Sequence, residues 1–352
     1  MITFYNADHL HHQGKLEMFR GALVPCFGVA ARAECVLAEL RRRGLGAIQA
    51  PPPQDDEVLT RVHAPHYLKF LRSAWEEWIA LDPENCEWDA LPSVWAVRQH
   101  RSDVVPESFA ARLGLFSFDA GTPLTSGTWR AARTGAWCAL AAAQCVLSGA
   151  SAAFALTRPP GHHAGRDFFG GYCFINNAAV AAQALRDGGA HRVAVLDIDY
   201  HHGNGTQCIF YERGDVFYLS LHGDPRTESP FFLGHADERG AGAGEGFNLN
   251  VPLQRGTDFS NWRAALARAL RAINEYRADA LVVSLGVDTF ELDPISGFKL
   301  RSDDYFHVGA DIAAASLSTV FVFEGGYAVA QVGVNTVNVL EGFENHRTSG
   351  KA

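Results

Sequence analysis

Residues 192–207 read RVAVLDIDYHHGNGTQ. The first half is apolar and β-branched, as in a strand covered on both faces of a parallel sheet. The second half turns sharply on Gly203 and Gly205. Side chains alternate along a strand, so Asp197, Asp199 and His201 point one way. His202 points the other way and reads as structural. Two carboxylates and an imidazole on one side are half of a metal site. One more carboxylate completes a set suited to Zn²⁺, with Fe²⁺ as a competitor. Spacing alone does not choose between Asp197 and Asp199 as the ligand. The plainer reading is a strand end whose acids bind loop amides; buried acids need partners of some kind.

Four further stretches read as buried strands: AAFAL (152–156), VFYLSL (216–221), ALVVSLG (280–286) and STVFVFEG (318–325). Helical patterns lie between and before them. In 260–276, Trp262, Leu266, Leu270 and Ile273 share a stripe, and in 32–44, Ala33, Val36, Leu37 and Leu40 do. Residues 176–189 form a third. Arg41, Arg42 and Arg43 suit a charged last helical turn. Strand alternating with helix predicts a single α/β domain over 1–352, with a parallel sheet flanked by helices. Residues 75–127 differ. They carry Trp75, Trp78, Trp88 and Trp95 with little periodicity, and read as a structured insertion that shapes a site or an interface.

The chemistry-bearing clusters share a location. RPPGHHAG (158–165) follows the strand 152–156, Asp288 follows 280–286, and EGGY (324–327) closes 318–325. Sites in open parallel sheets form beyond the carboxyl ends of the strands, so the four motifs should converge. Asp288 is the natural extra ligand; Asp293 precedes Pro294 and reads as a turn residue. Asp199, His201 and Asp288 would leave one coordination position open, as catalytic zinc requires. The adjacent imidazoles of His162 and His163 can divide acid and base work if different partners push their pKa values apart. Asp197, if it is not a ligand, can orient one of them. Tyr327, on a Gly-Gly turn, offers a phenol to a developing oxyanion.

The composition sets bounds. The chain is 47% hydrophobic and 20% charged, with a formal net charge of −9. No basic stripe is present, so a nucleic-acid partner is not expected. No apolar run is long enough to span a bilayer, so no membrane partner is expected either. The seven cysteines are scattered without a C-x-x-C pair, which indicates neither a disulfide framework nor a thiolate zinc site. The opening lacks the basic start and apolar run of a signal peptide, and a cytoplasmic location is expected.

Taken together, RPPGHHAG, GGYCFINNAAVAA (170–182), DIDYHHGNGTQ (197–207), GVDTFELDPISGFKL (286–300) and EGGY resemble the metal-dependent histone deacetylase superfamily, on the arginase–deacetylase fold. SLHGDP (220–225) and the opening DHLHHQGKLEMFRGALVP (8–25) are similar to its bacterial acetylpolyamine amidohydrolase branch. The resemblance implies eight parallel strands and one catalytic zinc held by Asp199, His201 and Asp288. It makes His163 the main general base and acid, His162 electrostatic and Tyr327 the carbonyl-polarising group. Asp197 should back His162 and Asn204 should back His163. Asp197 and Ser220, with carbonyls of Asp199, His201 and Leu221, match a structural potassium site. Tyr172 matches an aromatic channel wall, and Glu17 an acid at the channel mouth. The branch's second channel aromatic is replaced by Ser229, with Phe231 and Phe232 just beyond. Its second mouth acid falls at Ala110, with Glu107 nearby. The insertion resembles one that packs across a homodimer interface.

The expected activity is therefore deacetylation of small acetylated polyamines or diamines. The alternative within the same chemistry is a protein acetyl-lysine deacetylase. A catalytically silent acyl-binding module is disfavoured by intact His163, Tyr327 and ligands. An arginase-like two-metal enzyme would need a second carboxylate cluster, and no acid pair accompanies Asp288.

Overall fold

The computed structural model describes residues 1–97 and 99–349. In chain order its strands and helices are β1 (Ile2–Tyr5), β2 (Leu16–Phe19), β3 (Ala22–Pro25), α1 (Ala31–Arg43), β4 (Ile48–Gln49), α2 (Pro65–Leu81), α3 (Phe109–Leu115), α4 (Thr128–Leu147) and β5 (Ala152–Leu156). There follow α5 (Asn177–Asp187), β6 (Val193–Asp197), α6 (Asn204–Phe210), β7 (Val216–Gly223), β8 (Asn248–Leu253), α7 (Phe259–Tyr276), β9 (Ala280–Leu285), α8 (Asp304–Ala314), β10 (Ser318–Phe323) and α9 (Val329–Ser349). Strands β2 and β3 make a separate antiparallel hairpin; the other eight form one parallel sheet in the order β4-β1-β5-β10-β9-β6-β7-β8.

Alternation along the central strands divides the core in two. Ala153, Val195, Val282 and Val322 face one side, against α2, α4 and α5. Phe154, Leu196, Val283 and Phe321 face the other, against α1, α7, α8 and α9. Burial on both faces explains why β5, β6, β9 and β10 read as continuous apolar runs. The sheet's edges are the two-residue β4 and the half-exposed β8; short edge strands give little template for unwanted pairing.

Strands β5, β10, β9 and β6 are neighbours, although β9 and β10 come last in the chain. This order places the ends of all four motif-bearing strands side by side. Residues 75–81 complete α2, and 109–115 form α3, so the irregular part of the expected insertion is shorter than 75–127. Among the described residues no helix is long and apolar enough to cross a membrane.

Candidate active site

Beyond β6, Asp199 and His201 meet Asp288, which follows β9. One donor atom from each lies within 4.8 Å of the others. His201 Nδ1 is 3.0 Å from Asp288 Oδ2 and 3.3 Å from Asp199 Oδ1. Loop amides hold the carboxylates: Gly325 donates to Asp199 Oδ2 at 2.8 Å and Tyr200 to Asp288 Oδ1 at 2.8 Å. Glycine is required at two places in this cradle. A Cβ at Gly286 would lie 2.1 Å from Asp199 Oδ2, and one at Gly325 would lie 2.4 Å from Asp199 and 2.6 Å from Asp288.

Geometry separates the two acids that spacing left equivalent. Asp197 Oδ2 takes His162 Nδ1 at 3.0 Å and the Tyr218 hydroxyl at 3.0 Å, so it stands outside the trio. The trio fits a divalent cation chemically. Two fully buried acids and an imidazole are pressed together, and burial with the neighbouring Asp199 charge pushes Asp288 up to about 7. A cation among them removes that repulsion, and hard oxygen donors with one imidazole suit Zn²⁺ or Fe²⁺.

The paired histidines sit on the turn after β5, their ring centroids 4.0 Å apart. Their partners differ in charge. Burial works to lower His162, but Asp199 and Asp197 outweigh it and raise it to about 10. His163 Nδ1 meets the neutral Asn204 Oδ1 at 2.7 Å. Burial, then the charges of His162 and His201, holds His163 well below the ordinary histidine range. One imidazole is thus kept charged and its neighbour neutral, with the Asn204 contact leaving His163 Nε2 free.

Tyr327 is buried on the Gly325-Gly326 turn, where Gly326 has φ +130°. Its amide donates to Asp293 Oδ2 at 2.7 Å, and Asp293 Oδ1 also accepts the Ile295 amide. Asp293 is therefore a turn residue, as its sequence context indicates, and it also holds the Tyr327 loop. From the other side Arg32, fully buried, donates to the carbonyls of Glu324 and Gly326, and its guanidinium lies 4.4 Å from the Tyr327 ring centroid. Sequence reasoning missed Arg32. An arginine at the start of an apolar helical stripe was the available signal.

Tyr172 packs edge-on to Tyr327, centroids 5.6 Å apart. It adopts a left-handed backbone with φ +67°, and its amide donates to Thr122 Oγ1 at 2.9 Å. Its hydroxyl donates to Glu17 Oε1 at 2.6 Å. Glu17 is not the open mouth acid that the resemblance implies. It is 1% exposed on β2, and its second oxygen takes the Phe27 amide at 3.0 Å. Glu17 and Tyr172 border a cavity of about 20 Å³ with Arg32 and Arg158, room for one water. Ser229 is exposed, as are Phe231 and Phe232, the last at 88%; neither ring is packed as a closed wall would be. Glu107 and Ala110 are exposed as well. Asp197 and Ser220 are register partners on β6 and β7, with Leu221 next along.

The histone deacetylase domain profile matches residues 28–343. The chain belongs to the histone deacetylase family. Within that family it is 51% identical to acetylpolyamine amidohydrolase 2 of Pseudomonas aeruginosa, over 99% of this chain and 100% of that protein. It is 48% identical to the acetylpolyamine amidohydrolase of Mycoplana ramosa, over 97% and 99%. A crystal structure of the Burkholderia pseudomallei acetylpolyamine aminohydrolase superposes with a TM-score of 0.93 at 39% identity, covering 98% of this chain and 99% of that one. The eight-stranded parallel sheet flanked by helices is thus the fold of this histone deacetylase family member and of its relatives.

Proposed function

We propose that this protein is a zinc-dependent amidohydrolase that deacetylates small acetylated polyamines or diamines in the cytoplasm. One observation carries the reading: a buried Asp-His-Asp donor trio faces one charged and one neutral histidine and a phenol, all at the ends of four adjacent strands. The names of the full-length relatives supply the substrate class.

Asp199, His201 and Asp288 would hold Zn²⁺, with Fe²⁺ as the competing ion. When bound, the ion supplies Lewis acidity, polarising the acetamide carbonyl and making a water more acidic. His163 takes the attacking water's proton at Nε2 and returns it to the leaving amine. His162, held charged by Asp197, stabilises the negative charge that builds beside it. The Tyr327 hydroxyl donates to the developing oxyanion, and the Asp293 bond fixes where that hydroxyl is presented. Asn204 sets the His163 tautomer. Acetate and a free ammonium group leave. Tyr172 forms a wall for the thin acyl-bearing chain, and Glu17 sits beneath it.

A potassium ion at Asp197, Ser220 and the carbonyls of Asp199, His201 and Leu221 would brace the same loop. The exposed Trp88, Val97 and Val104 of the insertion would meet across a homodimer interface, where aromatic residues are enriched. The test of the activity is direct. Protein stripped by chelator and reloaded with one equivalent of Zn²⁺ is assayed for acetate release from N-acetylputrescine and acetylspermidine. Release that depends on the metal is expected; none at full zinc loading would overturn the reading.

A further inference from the structure

A second buried donor cluster lies outside the Asp199–His201–Asp288 trio. His162, Cys173 and Glu324 bring donor atoms within 4.8 Å of one another. They arrive from three places: the turn after β5, the loop before α5 and the end of β10. Cys173 and Glu324 are fully buried and His162 nearly so. Thiolate, imidazole and carboxylate are the donors zinc takes most readily. We propose that this cluster is a second site for Zn²⁺ or another thiophilic divalent ion, and that filling it inhibits the enzyme.

The surroundings of each donor support it. His162 Nδ1 is engaged by Asp197 Oδ2 at 3.0 Å, which leaves Nε2, 3.8 Å from Asp199 Oδ1, as the nitrogen a metal would take. A carboxylate behind an imidazole is the usual support for a metal-binding histidine. Glu324 Oε2 takes the amides of Gly161 and His162 at 2.6 and 3.2 Å. Its Oε1 has only the Ser284 hydroxyl, at 3.4 Å, beyond the range of a good hydrogen bond. One oxygen is therefore anchored while the other is nearly free. Among the described residues no Lys or Arg side chain forms an ion pair with this carboxylate. The Cys173 thiol reaches the Gly171 carbonyl at 3.3 Å. The one cationic neighbour of Glu324 is His162, and an ion shared by the two would take over that charge compensation.

Tetrahedral zinc holds its donors about 3.3–3.8 Å apart. The three side chains would close in by up to roughly 1–1.5 Å, which follows from those bond lengths. Binding converts the Cys173 thiol to thiolate and displaces the Nε2 proton of His162, and both protons go to solvent. The ion would take the place of the Nε2 proton on the charged His162 and set two positive charges beside His163, which has to accept a proton. The inhibitory part rests on the activity proposed above; the binding part does not.

Cobalt separates them. The Asp-His-Asp trio has no sulfur donor, so a thiolate-to-cobalt charge-transfer band reports a cysteine ligand. Stripped protein is titrated with Co²⁺ while absorbance and acetate release are followed. The band should be absent at one equivalent and grow with the second, as acetate release falls at least about ten-fold. Cys173→Ala should remove both the band and the inhibition, with one-equivalent activity within about two-fold of wild type. Glu324→Gln should weaken the second ion at least about ten-fold. A wild-type protein without the band would overturn the proposal. So would a band that survives Cys173→Ala, which would place the ion on an exposed thiol such as Cys86 or Cys208. A cysteine-dependent band in a protein that releases no acetate would keep the site and refute the activity.

Discussion

At the carboxyl ends of β6, β9 and β10, Asp197, Asp199, Asp288 and Glu324 are fully buried. Each accepts at least two hydrogen bonds, most of them from backbone amides. Between Leu81 and Val105 the arrangement is reversed: Leu81, Trp88, Val94, Val97, Val104 and Val105 turn apolar side chains to solvent. The first region stores charge in a fixed frame, so removing one group leaves its neighbours without partners. The second exposes apolar surface that only another surface can cover. Substitutions in the frame should therefore act on the chemistry, and substitutions in the segment on assembly and access.

Asp288→Ala is the severest test of the frame. It removes one donor and leaves Asp199 and His201 facing a gap. Acetate release should become undetectable and zinc content should drop well below one per chain, read by elemental analysis of purified protein. Tyr327→Phe should separate chemistry from assembly of the trio. Losing one oxyanion donor costs about 10²–10³ in kcat. Zinc content should stay at the wild-type level; unchanged turnover would remove the phenol from the mechanism.

The exposed segment should respond differently. Trp88, 62% exposed, holds the frame nowhere; its hydrogen bonds come from its backbone, the amide donating to the Asn85 carbonyl and the carbonyl accepting from Trp78. Trp88→Asp should convert a dimer to a monomer in light scattering and leave zinc content and kcat for small acetylated amines within about two-fold. An intact protein that is already monomeric would end the interface reading.

The central strands were legible because burial on both faces forces apolar β-branched runs, and a period of two put Asp199 and His201 on one side. The outer strands were not. β1 and β4 are only four and two residues long, and β8 mixes Asn248, Asn250 and Pro252 with its apolar residues. Spacing alone did not choose Asp199 over Asp197; the resemblance did, and in the structure Asp197 is occupied by His162 and by Tyr218, 35 and 21 residues away. Arg32 was hidden because its partners are carbonyls nearly 300 residues along the chain. Glu17 was placed by likeness at an open mouth. Its burial depends on how the β2–β3 hairpin meets Tyr172, a contact that no local pattern encodes.

Glu17 consequently carries the smallest expected effect, and one of a different kind from a charge contact with substrate. Its oxygens serve Tyr172 and Phe27, so Glu17→Gln should lower kcat/KM by about two- to five-fold, the worth of one modest hydrogen bond. Charged and neutral acetylated substrates should lose alike; a loss confined to charged ones would make Glu17 a substrate contact after all. Burial also pushes Glu17 up to about 7, from an ordinary 4.5. Between those values the folded chain binds more protons than the unfolded one, so this group's contribution to stability falls as pH rises from about 4.5 to about 7. The Tm of Glu17→Gln relative to wild type should rise across that window.

The substrate class is the point on which frame and surface meet, and one comparison tests it most directly. Zinc-loaded wild-type protein is given N-acetylputrescine, acetylspermidine and an acetyl-lysine peptide, and kcat/KM is measured for each from acetate release. Both acetylated amines should be at least about ten-fold better substrates than the peptide. A peptide turned over as well as the amines would contradict it and make the protein a protein deacetylase on the same strand-end frame.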